Sequence, residues 1–242
     1  MSPDKNDLVS IYKGLLLEGV QAEIPDTDEQ LSYIKRYLPR AKESRILDAG
    51  CGNGKYIFKI NSLGYADVYG VDLFQDTVRI PGRYAAGSIE ALPFLDGSFS
   101  MVYSNSVIFY AENPFNAVKE CFRVLKPGGV MIMTAHTKYS LFTLDRIIKR
   151  KLRGSTVRHL AGVRFYSSLQ YARMMRSAGF RVVETDGYRM SYLIWPFIKK
   201  ILKRAGVSFS ARAEGRKKRN RIYGFIRSVI GYHAVLAGYK EK

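Results

Sequence analysis

A short acidic and glycine-rich stretch holds the residue types in this chain that are best suited to ligand chemistry. Ile46 and Leu47 begin an apolar run typical of a buried strand, which stops at Asp48. Glycines then alternate with other residues at positions 50, 52 and 54, and apolar residues resume with helical spacing over 55–60. A strand that turns through glycines into a helix leaves backbone N–H groups free and lets a ligand approach the main chain. The pattern predicts a site for a nucleotide-like ligand, with Asp48 facing a cationic or hydroxyl-bearing part of it.

A second carboxylate ends the next predicted strand. Asp72 is the last residue of the predicted strand 67–72 and lies 22 residues after Gly50. In a strand–helix–strand unit this spacing brings a carboxylate beside a ribose, where it can accept two hydroxyl hydrogen bonds. The alternative is that Asp72 only forms the turn. The glycine spacing also differs from the G-x-G-x-x-G of dinucleotide-binding folds.

Three motifs resemble those of the class I S-adenosylmethionine (SAM) methyltransferases. They are D-x-G-x-G-x-G at 48–54, L-P-F-x-D-x-S-F at 92–99 and L-K-P-G-G at 125–129. The second is typical of the subgroup that methylates small molecules, lipids and quinones. The resemblance covers roughly residues 40–190 and returns for the final strand. It implies an α/β, Rossmann-like fold with a seven-stranded sheet in the order 3-2-1-4-5-7-6, the last strand antiparallel, and helices on both faces.

The same resemblance implies a cofactor and the residues that would hold it. The cofactor is SAM, its product is S-adenosylhomocysteine (SAH), and no metal is expected. The glycine turn would face the methionine end, Asp72 the ribose, and Leu73 and Ile89 the adenine ring, with Ser88 near the adenine amine. The alternative is a glycine-rich loop without a ligand. The implied cofactor-binding residues are Asp48, Ala49, Gly50, Cys51, Gly52, Gly54, Asp72, Leu73, Ser88, Ile89 and Asn105.

His136 is the candidate catalytic residue. It follows the predicted fifth strand, at the edge where open α/β sheets bind ligands, and its ordinary pKa suits proton transfer. The alternative is a surface or helix-capping histidine. Methyl transfer requires a base only when the acceptor must lose a proton. Many members of the resembling family carry a histidine near positions 109 and 110, which could serve as a general base. This chain has Phe109 and Tyr110 there, so a base at that position is not expected.

Length and cysteine content indicate one domain in a reducing compartment. The 242 residues suit a single α/β domain, 1–242, with an N-terminal helical cover in 1–40 and basic helical insertions at 140–165 and 190–230. Helical spacing over 7–19 and a capping box from Thr27 to Gln30 predict the two helices of that cover. Its Tyr12 and Tyr33 either line the cover or pack in the core. Cys51 and Cys121 are too few for a disulfide framework or a zinc site. Without a signal-peptide core or an apolar run of about 20 residues, a cytoplasmic location is expected.

The net charge of +18 is confined to the second part of the chain. Residues 1–139 contain 15 Lys and Arg against 16 Asp and Glu, whereas residues 140–242 contain 24 against 5. Such a field attracts phosphate groups, whether on nucleic acid, lipid headgroups or polyprenyl diphosphates. The alternative is a basic face that serves only solubility.

One basic segment, 191–221, has the features of a membrane-surface element. Ile194, Phe197 and Ile201 share one side of a predicted helix, and lysines and arginines occupy the other. A basic run at 216–221 follows. An amphipathic helix and a polybasic cluster together favour attachment to anionic lipid at the inner membrane face. The alternative is a helix packed on the domain beside a solvated loop.

Three functions remain compatible with the sequence. The first is a SAM-dependent methyltransferase acting on a small-molecule, lipid-linked or saccharide acceptor, including one at a membrane surface. The second is an RNA methyltransferase, which the charge favours. It is disfavoured because the N-P-P-Y-type sequence that clamps a flipped base is missing after the fourth strand. The third is a SAM-binding basic adaptor without catalysis. The sequence leaves the acceptor atom and the oligomeric state open.

Overall fold

The computed structural model describes residues 24–74, 83–140, 143, 165–188, 200, 204 and 231–241. The predicted helix at 7–19 lies outside these residues. So do the predicted basic insertions and the segment 191–221, apart from Ser140, Thr143, Phe165, Lys200 and Arg204. Lys200 and Arg204 are both helical and exposed.

Within the described residues, seven strands form one sheet. The strands are β1 Ile46–Ala49, β2 Val68–Asp72, β3 Arg83–Ala86, β4 Phe99–Asn105, β5 Leu125–His136, β6 Phe180–Tyr188 and β7 His233–Lys240. Their order is β3-β2-β1-β4-β5-β7-β6. Strand β7 pairs antiparallel with β5 and β6, and the other pairs are parallel. The predicted fold class, strand order and antiparallel last strand are confirmed.

Because they are parallel, strands β1, β2, β3, β4 and β5 have their C-terminal ends along one edge of the sheet, called here the carboxyl edge. Asp48 and Asp72 therefore lie near each other, although they are distant in sequence. In an open α/β sheet this is the edge at which ligands bind. Strand β6 runs parallel to β5 through its antiparallel neighbour β7, so Tyr188 and His233 reach the same edge.

The helices are α1 Glu29–Tyr37, α2 Lys55–Ser62, α3 Pro114–Val124 and α4 Ser168–Ser177, with a 3-10 turn at Ile108–Tyr110. Helix α3 begins with the Asn113 side chain accepting hydrogen bonds from the first turn and with proline at the first helical position. Helix α4 begins at a capping box formed by Ser167 and Gln170.

The start of α1 differs from the prediction. Its N-cap is Asp28, whose Oδ1 accepts a hydrogen bond of 2.7 Å from the backbone N–H of Leu31. The predicted capping box from Thr27 to Gln30 was wrong. A carboxylate at this position caps the helix and also interacts favourably with its dipole. The side chain of Gln30 is thereby released for contacts elsewhere.

The helices cover the sheet on both faces, and each face has its own apolar core. Helices α1 and α2 contribute Leu31, Ile34, Ile57 and Ile60 to one core, which packs against alternate residues of the central strands. Helices α3 and α4 contribute to the other core with Val118, Cys121, Tyr171 and Met175. In the part of the chain that the structure describes, no helix has the length and apolar character needed to cross a bilayer.

Candidate functional site

The glycine turn after β1 has the backbone conformation that its sequence predicts. Gly50, Gly52 and Gly54 all have positive φ, at 88°, 54° and 82°. The backbone N–H groups of Gly50 and Cys51 donate to the carbonyl oxygen of Val71, at 2.8 and 3.0 Å. The turn is therefore held against the end of β2, and its main chain follows a path that residues with a Cβ rarely adopt.

At two of these positions, the neighbouring side chains also leave no room for a Cβ atom. A Cβ at Gly50 would overlap the side chain of Val107, and one at Gly54 would lie 2.5 Å from the hydroxyl oxygen of Tyr84. Val107 follows Ser106, whose φ of 61° is unusual for a residue other than glycine. The chain leaving β4 is thus bent sharply so that Val107 presses on the turn.

Asp72 joins the turn to the end of β2. Its Oδ2 accepts a hydrogen bond of 2.8 Å from the N–H of Gly52, and its Oδ1 accepts one of 3.1 Å from the N–H of Phe74. A carboxylate oxygen can accept more than one hydrogen bond. Both oxygens of this half-buried carboxylate therefore retain capacity for the hydroxyl groups of a ligand.

Asp48 is a buried acid directly beneath the turn. Its side chain is only 1% exposed, and its Oδ1 has no hydrogen-bond partner among the described residues. Burial raises the pKa of this carboxyl to about 8, the Tyr103 hydroxyl lowers it in part, Asp72 raises it, and Lys55 lowers it. A buried acid with free acceptor capacity is suited to a cationic or hydrogen-bond-donating group.

The remaining predicted residues of the turn contribute their main chain. Ala49 is buried in the core on the side of α3. Cys51 is buried in the core on the side of α2, and burial raises the pKa of its thiol well above the usual value. Neither side chain is available to a ligand in this arrangement, so a ligand at the turn would meet their backbone atoms.

Leu73, Ser88 and Ile89 lie beside Asp72. The N–H of Gly87 donates to the backbone oxygen of Asp72 at 3.0 Å, which brings the end of β3 next to the end of β2. Leu73 is 66% exposed, whereas Ile89 is at the margin of the core. The Ser88 hydroxyl accepts a hydrogen bond of 3.1 Å from the N–H of Glu90. The segment that carries Ser88 and Ile89 is thus held beside Asp72 and Leu73.

Asn105 belongs to a polar network that the sequence did not predict. Its Nδ2 donates to Oε1 of Gln30 at 2.8 Å, and its Oδ1 accepts from the Thr134 hydroxyl at 2.6 Å. Gln30 Oε1 also accepts from the Tyr56 hydroxyl, and Gln30 Nε2 donates to the Tyr188 hydroxyl. The signal in the sequence was Gln30 itself, which the prediction had assigned to the capping box.

His136 ends β5 at the carboxyl edge, as its position in the sequence predicts. The side chain is 8% exposed and lies among the rings of Phe109, Tyr232 and His233, with ring centroids 4.5, 4.3 and 4.3 Å away. Its Nε2 is 3.5 Å from the hydroxyl oxygen of Tyr232. These ring contacts hold the imidazole at the carboxyl edge.

The described residues around the glycine turn offer hydrogen-bond acceptors and open main chain. Among them, no group of three or more His, Cys, Asp or Glu side chains has the proximity needed to hold a metal ion. Asp48 and Asp72 converge on a glycine turn at the carboxyl edge, and a polar and aromatic surface from β4, β5, β6 and β7 continues that edge. The arrangement can bind a ligand that combines hydroxyl groups, a cationic group and a flat apolar ring.

Comparisons with known proteins agree with this geometry. Residues 47–133 match the family model described as a methyltransferase domain. The chain is 33% identical over 110 residues to the malonyl-[acyl-carrier protein] O-methyltransferase of Enterobacter lignolyticus, a match that covers 43% of each protein. The match therefore spans less than half the length of this curated relative.

Solved structures give likeness over nearly the whole chain. The Haloferax volcanii protein in complex with the Trm112 methyltransferase activator superimposes with a TM-score of 0.66 at 17% identity, covering 99% of this chain and 98% of its own. A SAM-dependent methyltransferase of Thermotoga maritima gives a TM-score of 0.58 at 21% identity, covering 98% and 94%. At these identities the likeness shows the fold alone.

Proposed function

Because residues 47–133 match a methyltransferase domain, we propose that the chain is a class I SAM-dependent methyltransferase that transfers the methyl group of SAM to a small-molecule, lipid-linked or saccharide acceptor. The observation that carries this proposal is the hydrogen bond between the Asp72 carboxylate and the N–H of Gly52. It joins a ribose-type acceptor to an open glycine turn at the ligand-binding edge of the sheet. Asp48 adds a buried acceptor for the cationic amino acid part of the cofactor.

The residues present fit SAM, which supplies a methyl group already activated on a sulfonium. The protein mainly has to align the acceptor and exclude water. Asp72 would hold the ribose hydroxyls, the backbone from Gly50 to Gly54 would hold the methionine part, and Ile89 would pack on the adenine. His136 would accept a proton from those acceptors that must lose one, because it lies at the same edge of the sheet.

Calorimetric titration with SAH tests the cofactor assignment. Asp72→Ala removes two charge-assisted acceptors, each worth about 1.5–3 kcal/mol, so SAH binding should weaken by roughly 100-fold or more. Glu241→Ala is the matched control, since Glu241 is an exposed acid paired with Arg181 at the opposite edge of the sheet. Equal affinity of Asp72→Ala and wild type would show that the ribose does not bind here.

Two observations support the proposed class of methyl acceptor. The Enterobacter relative is named for an acyl-carrier-protein substrate, which favours a small-molecule or lipid-related acceptor over a base in RNA. The excess positive charge of residues 140–242 favours an acceptor that carries phosphate. Incubating the enzyme with methyl-labelled SAM and separated lipid, saccharide and RNA fractions of a cell extract tests this choice. Label confined to the RNA fraction would replace the proposed acceptor class with the alternative.

We further propose a cytoplasmic protein that attaches to the inner membrane face through residues 191–221. The support is the alternation of apolar and basic residues in the sequence and the exposed, helical Lys200 and Arg204. Flotation with vesicles that contain anionic lipid tests attachment, with neutral vesicles as the control. Equal flotation of the wild type and of a variant lacking 191–221 would refute it.

Salt dependence separates lipid from nucleic acid as the partner of the basic segment. Nonspecific RNA binding should fall steeply between about 50 and 200 mM salt, because it depends on counterion release. Membrane attachment also uses the apolar side of the predicted helix, so it should fall less steeply. A non-catalytic adaptor would bind SAH and one of these partners but would transfer no label to any fraction.

A further inference from the structure

We infer that Gln30 is a positioning residue that couples cofactor binding to the docking of helix α1, an inference that rests on the proposed function. Gln30 lies on α1 and contacts three other elements through one amide group. Its partners are Asn105 at the end of β4, Tyr56 on α2 and Tyr188 at the end of β6.

The amide of Asn105 is fixed at both ends by this arrangement. Its Nδ2 donates to Gln30 and its Oδ1 accepts from Thr134, so neither rotation of the amide nor exchange of its two ends preserves both hydrogen bonds. Thr134 also accepts two hydrogen bonds from the N–H of Ser106, one at its hydroxyl (3.1 Å) and one at its carbonyl oxygen (3.0 Å). The orientation of Asn105 and the bend at Ser106 are therefore set together.

That bend connects the network to the glycine turn. Ser106 has a positive φ, and the next residue, Val107, packs so closely on Gly50 that no Cβ fits between them. A continuous path of contacts thus runs from α1 through Gln30, Asn105 and Val107 to Gly50. Loss of Gln30 would release Asn105, and with it the loop that shapes the methionine side of the predicted cofactor site.

Helix α1 has other anchors, and they allow its stability to be separated from its effect on the site. The Tyr33 hydroxyl donates to Oδ2 of Asp186 at 2.9 Å, and the Tyr37 hydroxyl donates to Oε2 of Glu184 at 2.5 Å. With Gln30 and Tyr188 these pairs form a ladder, in which helix positions three or four apart meet strand positions two apart. Tyr33→Phe loosens the same helix without touching Asn105.

The experiment compares Gln30→Leu with Tyr33→Phe by calorimetric titration with SAH and by thermal unfolding. Both variants should unfold at a lower temperature than the wild type, because each loses buried or half-buried hydrogen bonds of α1. Only Gln30→Leu should bind SAH more weakly, by about tenfold, the effect of one or two hydrogen bonds. Gln30→Glu keeps acceptors for Asn105 and Tyr56 and should restore most of the affinity.

Thr134→Val provides a second test if Gln30→Leu does not fold. It removes the donor to the other end of Asn105 and should also weaken SAH binding several-fold. The inference is overturned if Gln30→Leu or Thr134→Val binds SAH as tightly as the wild type, or if Tyr33→Phe weakens binding as much as Gln30→Leu. Failure of the wild type itself to bind SAH would overturn the proposed function, whereas loss of the difference between the variants would overturn this inference alone.

Discussion

Replacing Asp48 by Asn should make the protein more stable than the wild type at neutral pH, because the buried carboxyl favours its protonated form. Burial raises the pKa of Asp48 to about 8 from an ordinary value of 3.8. In the unfolded chain the same carboxyl ionises at the ordinary value. Asn has nearly the shape of a protonated Asp and does not titrate, so it reproduces the neutral state at every pH.

The sign and size of the effect follow from proton linkage. Between about pH 4 and pH 8 the folded protein keeps the proton on Asp48 while the unfolded chain loses it, so the free energy of unfolding of the wild type falls as the pH rises. The loss is about 1.4 kcal/mol per pH unit. Relative to Asp48→Asn, the wild type should therefore lose roughly 4 kcal/mol between pH 4 and pH 7 and little more above pH 8.

Urea unfolding of both proteins at about pH 5.5, 6.5 and 7.5 measures this difference, and other titrating groups cancel because both proteins contain them. The difference should grow by roughly 3 kcal/mol over that range. A difference that stays constant over the range would refute the reasoning. Tyr103→Phe extends the test. The Tyr103 hydroxyl lowers the pKa of Asp48, so removing it should raise that pKa further. The free energy of unfolding should then continue to fall up to a higher pH than in the protein with Tyr103.

Ligand binding should reverse the protonation of Asp48. If the cationic amino group of SAH binds beside it, the pKa of the carboxyl should fall, and binding at neutral pH should release up to one proton. Calorimetry in two buffers of different ionisation enthalpy counts that proton. Release by the wild type but not by Asp48→Asn is the expected result, and equal release by both would assign the proton to another group.

Further predictions concern the turn, its supports and a helix start. Gly50→Ala should lower the free energy of unfolding in urea by about 3 kcal/mol, because the added Cβ would overlap the side chain of Val107. Gly128→Ala is the control: Gly128 also has a positive φ, but nothing lies within 4 Å of the added Cβ, so the loss should be only about 1 kcal/mol. Equal losses would exclude the overlap as the cause. Tyr84→Phe removes a buried hydroxyl that has no partner among the described residues and should leave stability unchanged or raise it by about 1 kcal/mol; a clear loss would reveal an unrecognised hydrogen bond. Ser167→Ala should lower stability by about 1 kcal/mol through loss of the capping box, and Ser167→Thr should restore most of it.

Local sequence patterns predicted most of the fold. Short apolar runs that end at Asp48, Asp72 and Asn105 mark the strands because buried strands are continuous in hydrophobicity, and turn residues end them. Helices α3 and α4 begin at caps formed by neighbouring residues, Asn113 with Pro114 and Ser167 with Gln170, since capping depends only on residues within one turn. The start of α1 was missed because Thr27 and Asp28 are both good caps, and packing of the helix decides between them.

The sequence by itself determined the acids and glycines of the turn and most of the elements along the chain, because these depend on contacts within a few residues or on a motif of fixed spacing. The order of the strands in the sheet came from the resemblance of its motifs to those of a known family. Only the tertiary structure decided how those residues are used. The pairing of Asp72 with Gly52, the burial that keeps a proton on Asp48, and the link from Gln30 through Asn105 to Gly50 all join residues from different elements. Long-range contacts of this kind are set by how helices and strands pack, which no local pattern of residues contains.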